Sequence, residues 1–144
     1  MSSEKKIHVF IVDDDMLFLK LLKNDFLQYP EYETRSFATG ELCLEKLNEL
    51  PDVIILDYYL NGLDIHAMNG IEILDKIKAY NPDIPVIMLS SQDKIEVAVE
   101  CMHHRAFDYV VKSETAFMRI QRIINSIARF KKMDSILNWY KARM

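Results

Sequence analysis

The sequence predicts an α/β domain in which a five-stranded parallel sheet is covered by helices on both faces. Three observations carry this: five short apolar runs rich in β-branched residues, stretches at helical spacing between them, and four prolines that fall only at the joints. The first run, at 7–12, is followed by Leu19, Leu22 and Phe26, which share one face of a helix. Pro30 marks the next joint, and 32–37 forms the second strand. Thr39 and Gly40 read as a helix start, with Cys43, Leu47 and Leu50 as the stripe of that helix, before Pro51 and a third strand at 53–56. Residues 58–69 have neither period, while Asn61, Gly62, Asp64 and Asn69 supply turn chemistry; a loop this long beside a strand end is often functional. Ile73 and Ile77 mark the third helix, and Pro82 and Pro85 precede a fourth strand at 86–89. Ile95, Ala98, Val99, Met102 and Ala106 form the stripe of the fourth helix, and 107–111 the fifth strand. Ile120, Ile123, Ile124, Ile127 and Phe130 line the last helix; Ile136, Leu137 and Tyr140 continue the stripe past a break at Lys131-Lys132-Met133-Asp134. Strands apolar on both faces need cover on both sides, which right-handed crossovers of a parallel sheet provide.

A chain of 144 residues, half of them hydrophobic, has room for one domain with its own core and one principal site. A net charge of -4 argues against direct nucleic-acid binding, which needs a basic face, and points to protein or small-molecule partners. Two cysteines, Cys43 and Cys101, are too few for a disulfide framework and read as reduced thiols on helices. No apolar run approaches the roughly 20 residues of a membrane helix, and residues 1–6 carry no apolar region of a secretory signal. A cytoplasmic location, without membrane attachment, is the expectation.

In open parallel sheets ligands bind beyond the carboxyl ends of the strands, so the residues that follow each strand are informative. The first strand runs into Asp13, Asp14 and Asp15, the third into Asp57, the fourth into Ser90 and Ser91, and the fifth into Lys112. Several carboxylates in one crevice repel unless a cation neutralises them, and an all-oxygen site suits magnesium. A carboxylate beside such a cation and a lysine is well placed to receive a phosphoryl group, because transfer depends on positioning and charge neutralisation. Taken singly, an Asp run is often an N-cap and a lone lysine is usually solvated; four strand ends with compatible chemistry carry more weight.

Through Val12-Asp13-Asp14-Asp15, Ile54-Ile55-Leu56-Asp57, Val86-Ile87-Met88-Leu89-Ser90-Ser91 and Tyr109-Val110-Val111-Lys112, the chain resembles a CheY-like response-regulator receiver domain of two-component signalling. The resemblance implies a doubly wound, flavodoxin-like strand order 2-1-3-4-5, a receiver over 7–130, a flexible start at 1–6 and a helical extension or linker at 131–144. It implies that Asp57 accepts a phosphoryl group from a sensor histidine kinase or a histidine phosphotransfer protein. Asp14, Asp57 and the main-chain carbonyl of Tyr59 would ligate magnesium, and Asp13 would reach it through water. Ser90 and Lys112 would bind the phosphoryl group, and Tyr109 would turn inward as Ser90 moves. Tyr59 and Gln92 occupy positions that tune phosphoryl lifetime in that family. Such a chain is a signalling module that catalyses only its own phosphorylation and dephosphorylation, and it regulates a downstream partner or an output domain outside this sequence.

The sequence departs from the family in three places. Lys112 is followed by Ser113 in place of a proline preceded by a cis bond, so a trans bond and a shifted loop are expected. The loop after Asp57 is longer than usual, with 62–67 as the added segment, and Asn61 stands where proline is common. These departures motivate an alternative, a pseudo-receiver that binds partners without phosphate. A haloacid-dehalogenase-type phosphatase is disfavoured, since Tyr59 stands where a second Asp is needed. Adjacent His103 and His104 suit a metal badly and read as surface residues. The long final segment suggests a helix that folds back, a homodimer contact or a linker; its Arg119, Arg122, Arg129, Lys131, Lys132, Lys141 and Arg143 lack a DNA-binding motif around them.

Overall fold

A computed structural model describes residues 5–60, 62 and 66–144 of the chain. The strands are β1 (Ile7–Val12), β2 (Tyr32–Phe37), β3 (Val53–Asp57), β4 (Val86–Ser90) and β5 (Asp108–Val111), all parallel in the order β2-β1-β3-β4-β5. The helices are α1 (Met16–Leu27), α2 (Gly40–Leu44), α3 (Gly70–Tyr80), α4 (Ile95–His103) and α5 (Ala116–Ala142). Topology and strand order agree with the sequence expectation.

The period of two in the strands divides the core. Phe10, Val12, Ile54, Leu56, Val86 and Met88 point to the face covered by α2, α3 and α4. Val9, Ile11, Ile55, Ile87 and Leu89 point to the other, where α1 supplies Leu19, Leu22 and Phe26 and α5 supplies Ile120, Ile124 and Ile127. Every residue of β3 and β4 is buried, as fits inner strands with helices on both sides, whereas edge strand β2 alternates and exposes Glu33 and Arg35 in part or whole. Cys43 and Cys101 are both buried; loss of water pushes their thiols up to about 12 and about 11, so they pack as inert side chains.

Three helical expectations need correction. The second helix does not run from Cys43 to Leu50: α2 ends at Leu44, a single 3-10 turn follows at Leu47–Glu49, and Leu50 is exposed with φ 56°. Its left-handed backbone turns the chain toward β3 in place of another helical turn. In α4 the buried residues are Val97 and Cys101, while Ile95, Val99 and Met102 of the expected core stripe face outward and Ala106 is buried beyond the helix end. Both faces of α4 are apolar, so spacing alone did not decide which faced the sheet. In α5 there is no break at Lys131-Lys132-Met133-Asp134 and no fold-back: the helix is continuous, because no glycine or proline interrupts it, and every residue from Ala128 onward is exposed.

Helix starts are locally specified. Asp15 Oδ1 accepts from the backbone N–H of Leu17 (3.1 Å) and Phe18 (3.2 Å) to cap α1, and Thr39 Oγ1 accepts from Leu42 N (3.2 Å) to cap α2. Asn69 and Glu72 form a reciprocal capping box that starts α3 directly after the long loop. Asn61 and Asp64, read as turn residues, lie outside the described residues. No described peptide bond is cis, in line with the expectation at Ser113. Among the described residues no helix is long and apolar enough to cross a membrane.

Candidate functional site

The parallel register brings the ends of β1, β3, β4 and β5 to one edge of the sheet. Asp57 is the last residue of β3 and pairs in register with Leu89, one residue short of Ser90. Ser90 pairs with Val111, so Lys112 follows directly, its N–H donating to the Ser90 carbonyl at 2.8 Å. Asp13 continues β1, with its N–H donating to the Phe37 carbonyl at 3.1 Å.

Asp13, Asp14 and Asp57 each present a carboxylate oxygen within 4.8 Å of the others. Asp13 and Asp57 are 0% and 3% exposed, a severe environment for two carboxylates. Lys112 Nζ stands 2.8 Å from Asp13 Oδ2 and 3.5 Å from Asp57 Oδ2, and its ammonium lies 4.8 Å from the centre of the Phe18 ring. Asp13 Oδ1 accepts from Asp15 N at 2.9 Å, and Asp57 Oδ1 from Tyr59 N at 3.3 Å.

This one ammonium does not balance three carboxylates. Burial first, then the charge of Asp13, pushes Asp57 up to about 8 despite the opposing pull of Lys112. Burial and Asp13 also raise Asp14 above the ordinary carboxylate range. Burial by itself would lower Lys112, but pairing with Asp13 and the charge of Asp57 outweigh it and hold the ammonium form. Asp13 Oδ2, close to Lys112, nevertheless receives no well-directed hydrogen bond. Hard oxygen donors and a charge deficit together fit a small divalent cation.

Of the residues singled out from sequence, Asp13, Asp14, Asp57 and Lys112 form the centre. Asp15 is a helix cap, and Ser91 is exposed. Ser90 is fully buried, and its Oγ accepts from Gln92 N at 3.1 Å. Tyr109 is half-buried against the α2–α4 side of the core, with its hydroxyl donating to the Gln92 carbonyl. Gln92 therefore joins the loop of Ser90 to the ring of Tyr109. Tyr59 is 38% exposed and stacks edge-on against Tyr58. Ser113, which replaces the usual proline, accepts from Thr115 N through its Oγ at 3.3 Å and leads the chain into α5. His104 pairs with Asp75 at 2.7 Å and His103 is exposed.

Several contributors were missed. Gly70 opens α3 so close to β3 that a Cβ there would stand 2.4 Å from the Asp57 carbonyl; the Asn69-Gly70 pair after the loop was the available signal. Phe18 lies off the α1 stripe and shields Lys112. Tyr58 donates to Glu100 of α4 at 2.8 Å, tying the residue after Asp57 to that helix. Nothing in the one-dimensional pattern marks that long-range pair.

The response regulator receiver domain family model matches residues 9–125. A protein-glutamate methylesterase/protein-glutamine glutaminase of Clostridium acetobutylicum is 36% identical over 117 residues, covering 78% of this chain and 32% of that protein. The transcriptional regulatory protein ZraR of Klebsiella oxytoca is 31% identical over 110 residues, covering 76% and 24%. This chain thus spans a quarter to a third of the length of these relatives. Among solved structures, a CheY-like response regulator receiver domain protein from Methanospirillum hungatei JF-1 superposes with a TM-score of 0.75 at 26% identity, covering 90% of this chain and 99% of that one. The BeF3-activated DrrB receiver domain does so with a TM-score of 0.69 at 28% identity, covering 83% and 98%. The chain belongs to the response regulator receiver domain family of two-component signalling.

Proposed function

We propose that this receiver is a magnesium-dependent phosphoacceptor in which Asp57 takes the phosphoryl group. The observation that carries the reading is the buried cluster of Asp13, Asp14 and Asp57 with Lys112 at 2.8 and 3.5 Å from two of them. Asp14 and Asp57, with the Tyr59 carbonyl, would hold magnesium directly and Asp13 through water. Bound magnesium supplies charge neutralisation for the equatorial phosphoryl oxygens. In its ionised form a carboxylate oxygen of Asp57 bonds to phosphorus while the donor's P–N or P–O bond breaks and the leaving group departs with the electron pair. Lys112 stabilises the transferred charge. Dephosphorylation is the same site acting with water as the nucleophile, so the catalysis is confined to the protein's own acyl phosphate.

The product adds about -1.5 to -2 charge at neutral pH beside a lysine and a hydroxyl. Charge-assisted hydrogen bonds contribute about 1.5 to 3 kcal/mol each, and moving a two-state surface from nearly all off to nearly all on takes about 5.5 kcal/mol. Two or three contacts, from Ser90 and Lys112 among others, reach that magnitude. The Ser90–Gln92–Tyr109 connection gives the change a route to the α4–β5–α5 surface. A cleft of about 640 Å³ between α1 and the start of α5, lined by Phe18, Leu21, Phe117 and Lys112, offers a donor protein access beside the site. Its occupant is a histidine kinase or phosphotransfer protein, and the setting is the cytoplasm. The globular unit is 7–130, with 131–144 as an extension.

Incubation with magnesium and acetyl phosphate, read by intact mass, tests this. The parent gains one phosphoryl group, and Asp57→Asn or chelation removes the gain; uptake that survives both overturns the proposal.

A further inference from the structure

The last part of α5 has no role in the receiver core. Its residues 128–142 extend for about 22 Å at 1.5 Å per residue, with no buried position after Ile127. An unsupported helix of this length is marginal in water, so the apolar face along it calls for cover.

That face has a definite spacing. Phe130, Met133, Leu137 and Tyr140 recur at intervals of three, four and three residues, and they are 69%, 62%, 53% and 60% exposed. This is the spacing of an a/d seam, the pattern by which two helices wind around each other with each side chain entering a gap on the facing helix. Trp139 lies off the seam and takes a cation–π contact from Arg143, whose guanidinium carbon stands 3.9 Å from the ring centroid.

We propose that a second copy of this chain covers the seam, forming a parallel, two-fold-symmetric helix pair through the α5 extension. The charges select both the occupant and its direction. With Phe130 at an a position, Arg129 falls at g and Asp134 at e, the two positions that meet between parallel helices, so each copy sets Arg129 against Asp134 of the other. An antiparallel pairing of the same layers brings Arg129 against Arg143 and Asp134 against its own counterpart, so like charges meet. Lys131 and Lys132 lie outside the seam in either case.

The area sets the strength. Four side chains about six-tenths exposed give roughly 800–1,000 Å² across both copies, at the low end of specific interfaces, which corresponds to a reversible dimer in the micromolar range or weaker. The pairing is independent of the phosphoryl site and needs no magnesium.

Sedimentation velocity of the full 144-residue chain in magnesium-free buffer, from low to high micromolar, tests this. The parent shifts from monomer to dimer with concentration. Leu137→Glu weakens dimerisation by at least about tenfold, while its urea midpoint matches the monomeric parent because Leu137 lies beyond the globular body. Arg129→Asp weakens dimerisation by about threefold, and adding Asp134→Arg restores it. A parent that stays monomeric throughout, a Leu137→Glu variant that dimerises like the parent, or a charge-swapped variant weaker than Arg129→Asp overturns the proposal.

Discussion

Replacing Asp57 with Asn should make the metal-free protein more stable at neutral pH, although it removes the proposed acceptor. The side chain is 3% exposed, and burial together with Asp13 raises its pKa to about 8. An unfolded aspartate titrates at about 3.9, so between these values folding takes up a proton. The group therefore supports the fold fully below about pH 4, and its contribution is lost as pH rises through about 8. The slope is at most about 1.4 kcal/mol per pH unit, so the parent should lose about 2.5 kcal/mol relative to Asp57→Asn between about pH 5 and about pH 7. Asparagine has almost the same shape and no charge, and it drops this slope. Urea denaturation of both chelator-treated proteins across that range is the assay, and the difference between them cancels groups common to both. Magnesium should reverse the order, since it favours the ionised Asp57 and loses a ligand in the variant. Parallel pH curves for the two proteins would refute the reasoning, because Asp57 would then not be held above its ordinary range.

Three further outcomes follow from the geometry. Lys112→Met removes the ammonium 2.8 Å from Asp13 and 3.5 Å from Asp57 and should cost about 3 kcal/mol without metal, as for a broken buried pair; magnesium should recover more stability in the variant than in the parent, as read by urea midpoints. Gly70→Ala places a Cβ 2.4 Å from the Asp57 carbonyl, and the forced shift should cost about 2 kcal/mol and slow phosphoryl uptake in a timed mass assay. Arg105 is exposed with φ 71°, so Arg105→Gly should raise stability by about 1 kcal/mol in thermal or urea unfolding, with phosphoryl uptake unchanged.

The strands were legible because β3 and β4 throughout, and β1 from Val9 to Val12, are buried on both faces and carry almost unbroken apolar runs. Their ends then placed Asp13, Asp14, Asp57 and Lys112 on one edge, as parallel strands must. Helix faces were harder. In α4 Ile95, Val99 and Met102 match a core stripe as well as Val97 and Cys101 do, and only packing against the sheet separates them. Leu50 matched the spacing of Cys43 and Leu47, yet the tight entry into β3 needed a left-handed residue there. Lys78 is 7% exposed, its ammonium donating to the carbonyls of Ile84 at 2.6 Å and Pro82 at 3.3 Å across the turn before β4, a burial that no spacing rule marks for a lysine. Contacts such as Tyr58 with Glu100 join residues 42 positions apart and leave no periodic trace.

The central claim is that one buried carboxylate, Asp57, carries the phosphoryl group. Borohydride reduction after magnesium-dependent labelling converts an aspartyl phosphate to homoserine, and peptide mass mapping then locates the altered residue. Homoserine at position 57, dependent on both magnesium and the phosphodonor, is the predicted result. Conversion at Asp13 or Asp14, or a phosphate retained on Ser90 with position 57 unchanged, would contradict it.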